Sequence, residues 1–193
     1  MTTTGAAPAR DHYHHGDLRS ACIAAALELL EEDAELSLRA VARRAGVSTG
    51  APYRHFADKD ELLSAIAAQG YRDLGERLAA ASPAPAVPAD FAEVAVAYVR
   101  FALTRPALFR VMFTTVCDRT SSERAAAAAE LNGFVRAAAE RSCPGMDPEV
   151  LATAAWGLVH GLAFLHLDGK LPADAPDAVD ARVRASVHAL VGG

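Results

Sequence analysis

The chain has 193 residues, 52% hydrophobic, 22% charged and 6% aromatic, with a formal net charge of −5. That length suits one large or two small domains with a sizeable core, and the Ala-rich composition reads as soluble and helical. The acidic balance excludes nucleic-acid attraction by the chain as a whole, no apolar run approaches the roughly 20 residues of a membrane span, and Met1–Arg10 lacks a leader-like apolar segment, so a cytoplasmic location without membrane partners is expected.

From the start, Met1 to about Arg10 reads as an unstructured arm. His12, His14 and His15 follow it. Adjacent histidines in an arm do not readily converge on one ion, and no further ligand follows at suitable spacing, so neither metal nor cofactor is expected. A helix is expected from about Asp17 to Asp33, capped by Asp17, with Leu18, Cys22, Ala25, Ala26 and Leu29 as its buried stripe. Cys22, Cys117 and Cys143 show no CxxC spacing, and Cys22 fits a small core position. Glu31-Glu32-Asp33 reads as a solvated face turned away from any anionic partner.

Ser37 to Glu61 organises the rest. Leu38, Val41, Ala42 and Ala45 share one face of a short helix, with Ser37 as its cap. Gly46 can end that helix in the left-handed conformation. Val47 plugs the turn, Ser48 or Thr49 can cap a second short helix, and Pro52 falls in its first turn. Phe56 turns back into the core. Asp58 and Glu61 form a capping box opening a third helix through Leu62, Leu63 and Ile66.

Two short helices, a Gly turn and small Ala42 at their crossing make a helix-turn-helix. Thr49 with Tyr53, Gly50 with Arg54, and Ala51 with His55 lie on adjacent rows of its second helix. A small N-terminal end allows close approach to base edges, and the polar residues behind it can reach phosphates. Leu36 to Lys59 holds Arg39, Arg43, Arg44, Arg54 and Lys59 against Asp58 alone, a balance of +4. Residues 1–60 as a whole hold seven Lys/Arg against nine Asp/Glu, so the basic character is a patch.

These residues carry a resemblance. Ala42, Ala45, Gly46, Val47, Ser48, Gly50, Tyr53, His55, Phe56, Lys59, Leu62 and Leu63, with the upstream run Tyr13 to Arg19, resemble the DNA-binding domain of the TetR family of transcriptional regulators. Trp156 to Gly161 resembles, more weakly, the Trp-His-Gly type of C-terminal domain of one branch. The resemblance implies an all-α fold: an N-terminal three-helix DNA-binding domain with a helix-turn-helix, at 1–60, then a helical-bundle ligand-binding and dimerisation domain at 61–193. It implies base contacts from Arg39, Thr49, Gly50 and Tyr53, backbone contacts from Ser37, Arg54, His55 and Lys59, and Ser48 among the contacting residues. It also implies a homodimer whose last two helices meet a partner, with Leu158, Leu162, Leu165, Val179, Val183, Val187 and Leu190 available for that contact.

Further helices are expected by periodicity: a connecting helix at about 59–81, then Asp90–Thr104, Pro106–Cys117, Ser121–Arg141, Pro148–Leu167 and Pro176–Val191. The Pro-rich run Ser82 to Ala89 breaks the chain between the first two. Phe101, Phe109, Met112, Phe113 and Val116 concentrate apolar bulk, and Trp156, His160 and Phe164 line one helical stripe. They are either core or the wall of a pocket for a largely apolar inducer, with His160 as a polar anchor. The reading with most support is a homodimeric repressor on a palindromic double-stranded DNA operator, released by a small molecule. The alternatives are a DNA-binding protein without a ligand, against which the large second half argues, and an enzyme using His160 or His166, for which no nucleophile motif or metal spacing speaks.

Overall fold

The structure, a computed structural model, describes residues 18–113 and 121–192. The arm with His12, His14 and His15, Asp17, Val116 and Cys117 lie outside the described residues. The described chain is all-helical: α1 (Leu18–Glu31), α2 (Leu38–Arg44), a short 3-10 helix (Pro52–Arg54), α3 (Lys59–Ala81), α4 (Pro88–Thr104), α5 (Pro106–Phe113), α6 (Ser122–Ser142), α7 (Pro148–Leu167) and α8 (Pro176–Val191).

Local chemistry sets most of these boundaries. Ser37 accepts from the Ala40 amide at 3.1 Å and starts α2, and Gly46 follows α2 at φ +67°. α1 stops two residues earlier than the periodicity predicts, because Asp33 takes the left-handed conformation at φ +54° and Ala34 N–H turns back to Leu29 O. An Asp tolerates that conformation better than most residues. Asp58 accepts from the Glu61 amide at 2.9 Å, while the Glu61 carboxylate reaches back to Ala57 N–H at 2.7 Å. α4 begins at Pro88 instead of Asp90: Pro at the first position needs no partner for a missing N–H, and the Asp90 carboxylate accepts from the Ala86 and Val87 amides. Asp147 caps α7 through the Glu149 and Val150 amides.

The α1 stripe of Cys22, Ile23, Ala25, Ala26 and Leu29 packs on α2, where Val41 and Ala42 are fully buried. Phe56 returns to this core at 1% exposure. α3 then runs through the molecule, packing on α4 and α5 and most extensively on α6. It approaches α5 so closely that a Cβ on Gly70 would lie 2.6 Å from Met112 Sδ. α4 packs on α8, fastened by Arg100 to the buried carboxylate of Asp180 (Nε–Oδ1 2.8 Å) and by Glu93 to Arg184 (2.6 and 3.0 Å).

α7 departs from the expectation that no stretch is long and apolar enough for a membrane. It is 20 residues long, and an 18-residue stretch of it has a mean hydropathy of 1.6. It packs on α4, α6 and α8 and carries Glu149, His160 and His166, as a bundle helix does. It exposes Val150 and Leu165 on its outer side and Trp156 on another face. The α8 residues Val179, Val183 and Val187, and Leu162 of α7, are buried within the chain, so they cannot serve a partner as expected; their stripe faces the chain's own helices.

Candidate nucleic-acid interface and cavity

The recognition segment differs from the α-helix expected of it. Ala51 N–H bonds Ser48 O, Arg54 N–H bonds Ala51 O and His55 N–H bonds Pro52 O, which is 3-10 bonding, with one longer bond from Phe56 N–H to Pro52 O. Pro52 has no N–H to return to Ser48, and Ser, Thr and Gly hold a helix weakly. The compact turns still throw Ser48, Thr49, Gly50, Tyr53, Arg54 and His55 onto one exposed surface, with Tyr53 at 52% exposure. Pro52 and Phe56 face inward and anchor it. Arg39 of α2 and Lys59 of α3 are exposed, and Ser37, the α2 cap, is half-buried.

Charge sharpens this surface. Arg44 is drawn off to α1: its guanidinium reaches Glu32 (3.0 Å) and Glu28 (3.3 Å). Its hydrogen bond holds the Glu32 carboxyl below the usual carboxylate range. Glu31 is likewise taken by Arg105 at 3.2 Å. The acidic cluster is therefore a clamp as well as a solvated face. Among the described residues, Arg39, Arg43, Arg54 and Lys59 make no ion pair. Arg43, four residues from Arg39 on α2, joins the candidate residues; the i, i+4 spacing was the available signal.

A second feature lies among α3, α4, α6 and α7. It is a cavity of about 550 Å³, with Phe113 at the end of α5 also on its wall. Its buried side is aromatic and aliphatic, formed by Tyr71, Phe91, Tyr98, Leu131 and Val159. Its exposed side carries Asn132 and Arg136 of α6 and Glu149, Thr153 and Trp156 of α7. Arg136 Nε lies 3.3 Å from Glu149 Oε1, so the two charges at this mouth pair with each other.

Of the residues expected to line a pocket, Phe113 and Trp156 do. Phe101, Phe109 and Met112 are fully buried core beside it. His160 and Phe164 stand behind the wall in one aromatic cluster: the His160 ring is 4.9 Å from Phe164, 4.8 Å from Phe113 and 6.0 Å from Trp156. His160 Nδ1 is 3.0 Å from the Tyr98 hydroxyl. Burial holds the Tyr98 phenol well above the ordinary tyrosine range, opposed by a hydrogen bond from the Trp156 indole. Burial also pushes His160 below its ordinary value. Both groups are neutral near pH 7. The sequence reading missed Tyr71, Phe91 and Tyr98. Phe91, Val94, Ala95 and Tyr98 do share a helical face, but that spacing does not separate core from cavity wall.

Among the described residues no three His, Cys, Asp or Glu side chains converge as metal ligands. Cys22 and Cys143 are buried free thiols, each pushed upward by burial.

Comparisons agree with this architecture. Residues 23–66 match the family model of bacterial regulatory proteins of the tetR family, and residues 91–190 match a tetracyclin repressor-like C-terminal domain. The second span contains the Trp156–Gly161 run. No curated protein sequence matches the chain at a significant level. Among solved structures, a protein of unknown function from Rhodococcus sp. RHA1 is 30% identical, covering 95% of this chain and 100% of that one, with a TM-score of 0.81. A TetR family member from Streptomyces coelicolor A3 is 26% identical over 90% of this chain and 97% of its own, with a TM-score of 0.68. A tetR family regulatory protein from Rhodococcus RHA1, 23% identical over 90% and 96% with a TM-score of 0.68, shares the fold. The all-helical fold, the exposed helix-turn-helix and the two matched segments together place this chain in the TetR family of DNA-binding transcriptional regulators.

Proposed function

We propose that this regulator is a homodimeric repressor that binds a palindromic operator and leaves it when a small molecule fills the cavity. The observation that carries this reading is α3. Lys59, its first residue, stands beside the recognition turns, while Tyr71 and Leu78 further along it line the cavity. Lys59 and Leu78 are thus joined by one helix of about 28 Å at 1.5 Å per residue. A ligand that tilts α3 changes the spacing of two recognition segments in a dimer, and needs only a modest difference in affinity between two states. The division at about residue 60, with α3 as the connection, follows from the same role. Charged links run alongside: Glu123 at the start of α6 holds both Arg19 of α1 and Arg72 of α3, and Arg105 joins Glu31 to Asp73.

Base edges are read by Arg39, Thr49, Gly50 and Tyr53. Phosphates are held by Ser37, Ser48, Arg54, His55 and Lys59, with Arg43 as an addition. The protein works in the cytoplasm, where its operator is.

The dimer forms through the outer side of α7. Val150, Ala154, Gly157, Leu158, Gly161 and Leu165 follow one helical stripe there. A Cβ at Gly157 or Gly161 would meet nothing within 4 Å, so the chain's own packing does not call for glycine there. Each costs a helix about 1 kcal/mol relative to Ala, and close approach of a partner helix accounts for both. Gly161→Asp tests this. It should leave the chain folded, give a monomer in sedimentation, and weaken operator binding by about a hundredfold or more through loss of the linked second half-site. A variant that remains dimeric with unchanged operator affinity would rule out this interface.

A further inference from the structure

We infer that the cavity takes an uncharged, largely apolar molecule carrying a flat ring and one hydroxyl-type group, with Tyr98 as the residue that anchors the hydroxyl. The inference rests on the ligand-responsive reading above and names the class of ligand.

Size and shape come first. About 550 Å³ lies in the range of pockets that hold a drug-sized molecule. The wall offers ring faces: Tyr71, Phe91, Tyr98, Phe113 and Trp156. A flat ring fits such a wall through stacked and edge-to-face contacts.

Charge comes next. The charged side chains on the wall are Arg136 and Glu149. They sit at the exposed mouth and pair with each other. Deeper in, the described wall has aromatic, aliphatic and hydroxyl groups. An anion there would have no cation to meet. A cation could use the ring faces, but that attraction is worth about 2 kcal/mol or somewhat more when desolvated, against several kcal/mol for desolvating the ion. A neutral molecule escapes that cost.

Hydrogen-bonding capacity locates the polar group. The Tyr71 hydroxyl is committed to Met112 O at 3.0 Å. The Tyr98 hydroxyl touches His160 Nδ1 at 3.0 Å. A hydroxyl has one hydrogen and two lone pairs. Whichever way the Tyr98–His160 hydrogen points, that contact leaves hydrogen-bonding capacity of the Tyr98 hydroxyl unused. A ligand hydroxyl, able both to donate and to accept, suits that capacity.

The molecule contains its own reporter. Trp156 is the single tryptophan of the chain and lies on the cavity wall. Its emission should be titrated with three probes matched in size: para-hexylphenol, para-hexylbenzoate and para-hexylbenzylammonium. The expected result is saturable change with the phenol at concentrations at least tenfold below those at which either ion acts. Tighter binding of either ion would overturn the inference while keeping the cavity as a ligand site. No saturable response to any of the three, with DNA binding intact, would remove the ligand-responsive reading along with it.

A second arm tests the anchor. Tyr98→Phe should weaken para-hexylphenol about fivefold, the scale of one neutral hydrogen bond, and leave para-hexyltoluene unchanged. Equal affinity of wild type and a folded Tyr98→Phe variant for the phenol would exclude Tyr98 as the anchor.

Discussion

The recognition surface and the cavity are built in opposite ways. The first comes from one contiguous stretch, Ser37 to Lys59, and its side chains point outward from short turns held by two inward residues, Pro52 and Phe56. The second is assembled from four helices and the end of a fifth, and its wall joins Tyr71 to Val159. One is polar and carries unpaired cations. The other is aromatic and keeps its charges paired at the rim. Contacts made by neighbours in sequence are fixed by local spacing, whereas a cavity is what distant helices fail to fill, so its lining depends on how each helix is rotated. α3 belongs to both regions, which is why the sharpest tests either separate them or strike α3.

The largest effect is expected on the recognition surface. Arg39→Ala should cost about 1–3 kcal/mol of operator binding and relax preference at a single base-pair position, because a guanidinium fork matches the guanine edge. Arg44→Ala is its control. Its guanidinium is held by Glu28 and Glu32 on the surface, so its loss should change stability little and leave base preference alone. A base-preference profile for both variants checks this; a uniform loss across sequences for Arg39→Ala would reduce it to a phosphate contact.

Next comes α3. Gly70→Ala forces a methyl to within 2.6 Å of Met112 Sδ and 2.9 Å of Leu108 Cδ1, and should lower stability by about 1–2 kcal/mol, overpacking outweighing the gain in helix propensity. Gly75→Ala on the same helix meets Leu131 at an ordinary 3.9 Å and should stabilise by up to about 1 kcal/mol. Urea midpoints of the two variants should therefore move in opposite directions; both moving down would mean that the α3–α6 packing has no room either.

A smaller effect is expected at Lys59. Lys59→Ala should weaken binding to all sequences alike and reduce the salt slope by about one, as one phosphate contact does. Filter or fluorescence titrations across ionic strength read this directly, and an unchanged slope removes Lys59 from the contacts.

The smallest effect belongs to the aromatic cluster behind the cavity wall. Burial lowers His160 in the folded chain, so the unfolded chain binds that proton first as the pH falls. The His160 contribution should be flat above about pH 6.5, fall as the pH drops below it, and level off once the pH is under the folded value. Glu93 acts in a separate window. Arg184 holds it below the ordinary value, so its contribution is present above that value and is lost only in stronger acid. Urea midpoints of wild type and His160→Asn between about pH 7.5 and 5.5 should show the slope in wild type and a flatter line in the variant.

How much of this was legible follows the same division. α3, α7 and α8 start and stop where the sequence predicts because their signals are local: Asp58 with Glu61, Asp147 before Pro148, and Pro176 in a first turn. The exposed faces of Thr49, Tyr53 and Arg54 were legible from spacing. That their backbone would be 3-10 was not, because the spacing of side chains over so few residues hardly separates the two helices, and the missing Pro52 N–H decided it. The aromatic bulk of Phe101, Phe109 and Met112 was legible as apolar, but depth cannot be read from periodicity, and all three are fully buried. Tyr98 was illegible for a different reason. Its partner His160 lies 62 positions away on α7, and only the packing of α4 against α7 brings them together. The pairing of Arg44 with Glu28 and Glu32 required the same kind of knowledge across α1 and α2.

The most direct single measurement is binding of the purified protein to its own upstream DNA across a salt series, with an intact two-fold symmetric site and with one half-site scrambled. The predicted result is nanomolar binding that falls linearly on logarithmic axes with salt and is lost when one half-site is scrambled. Equal affinity for intact and scrambled DNA, disappearing together at moderate salt, would contradict an operator-reading dimer and leave the basic surface as a weak, unselective contact.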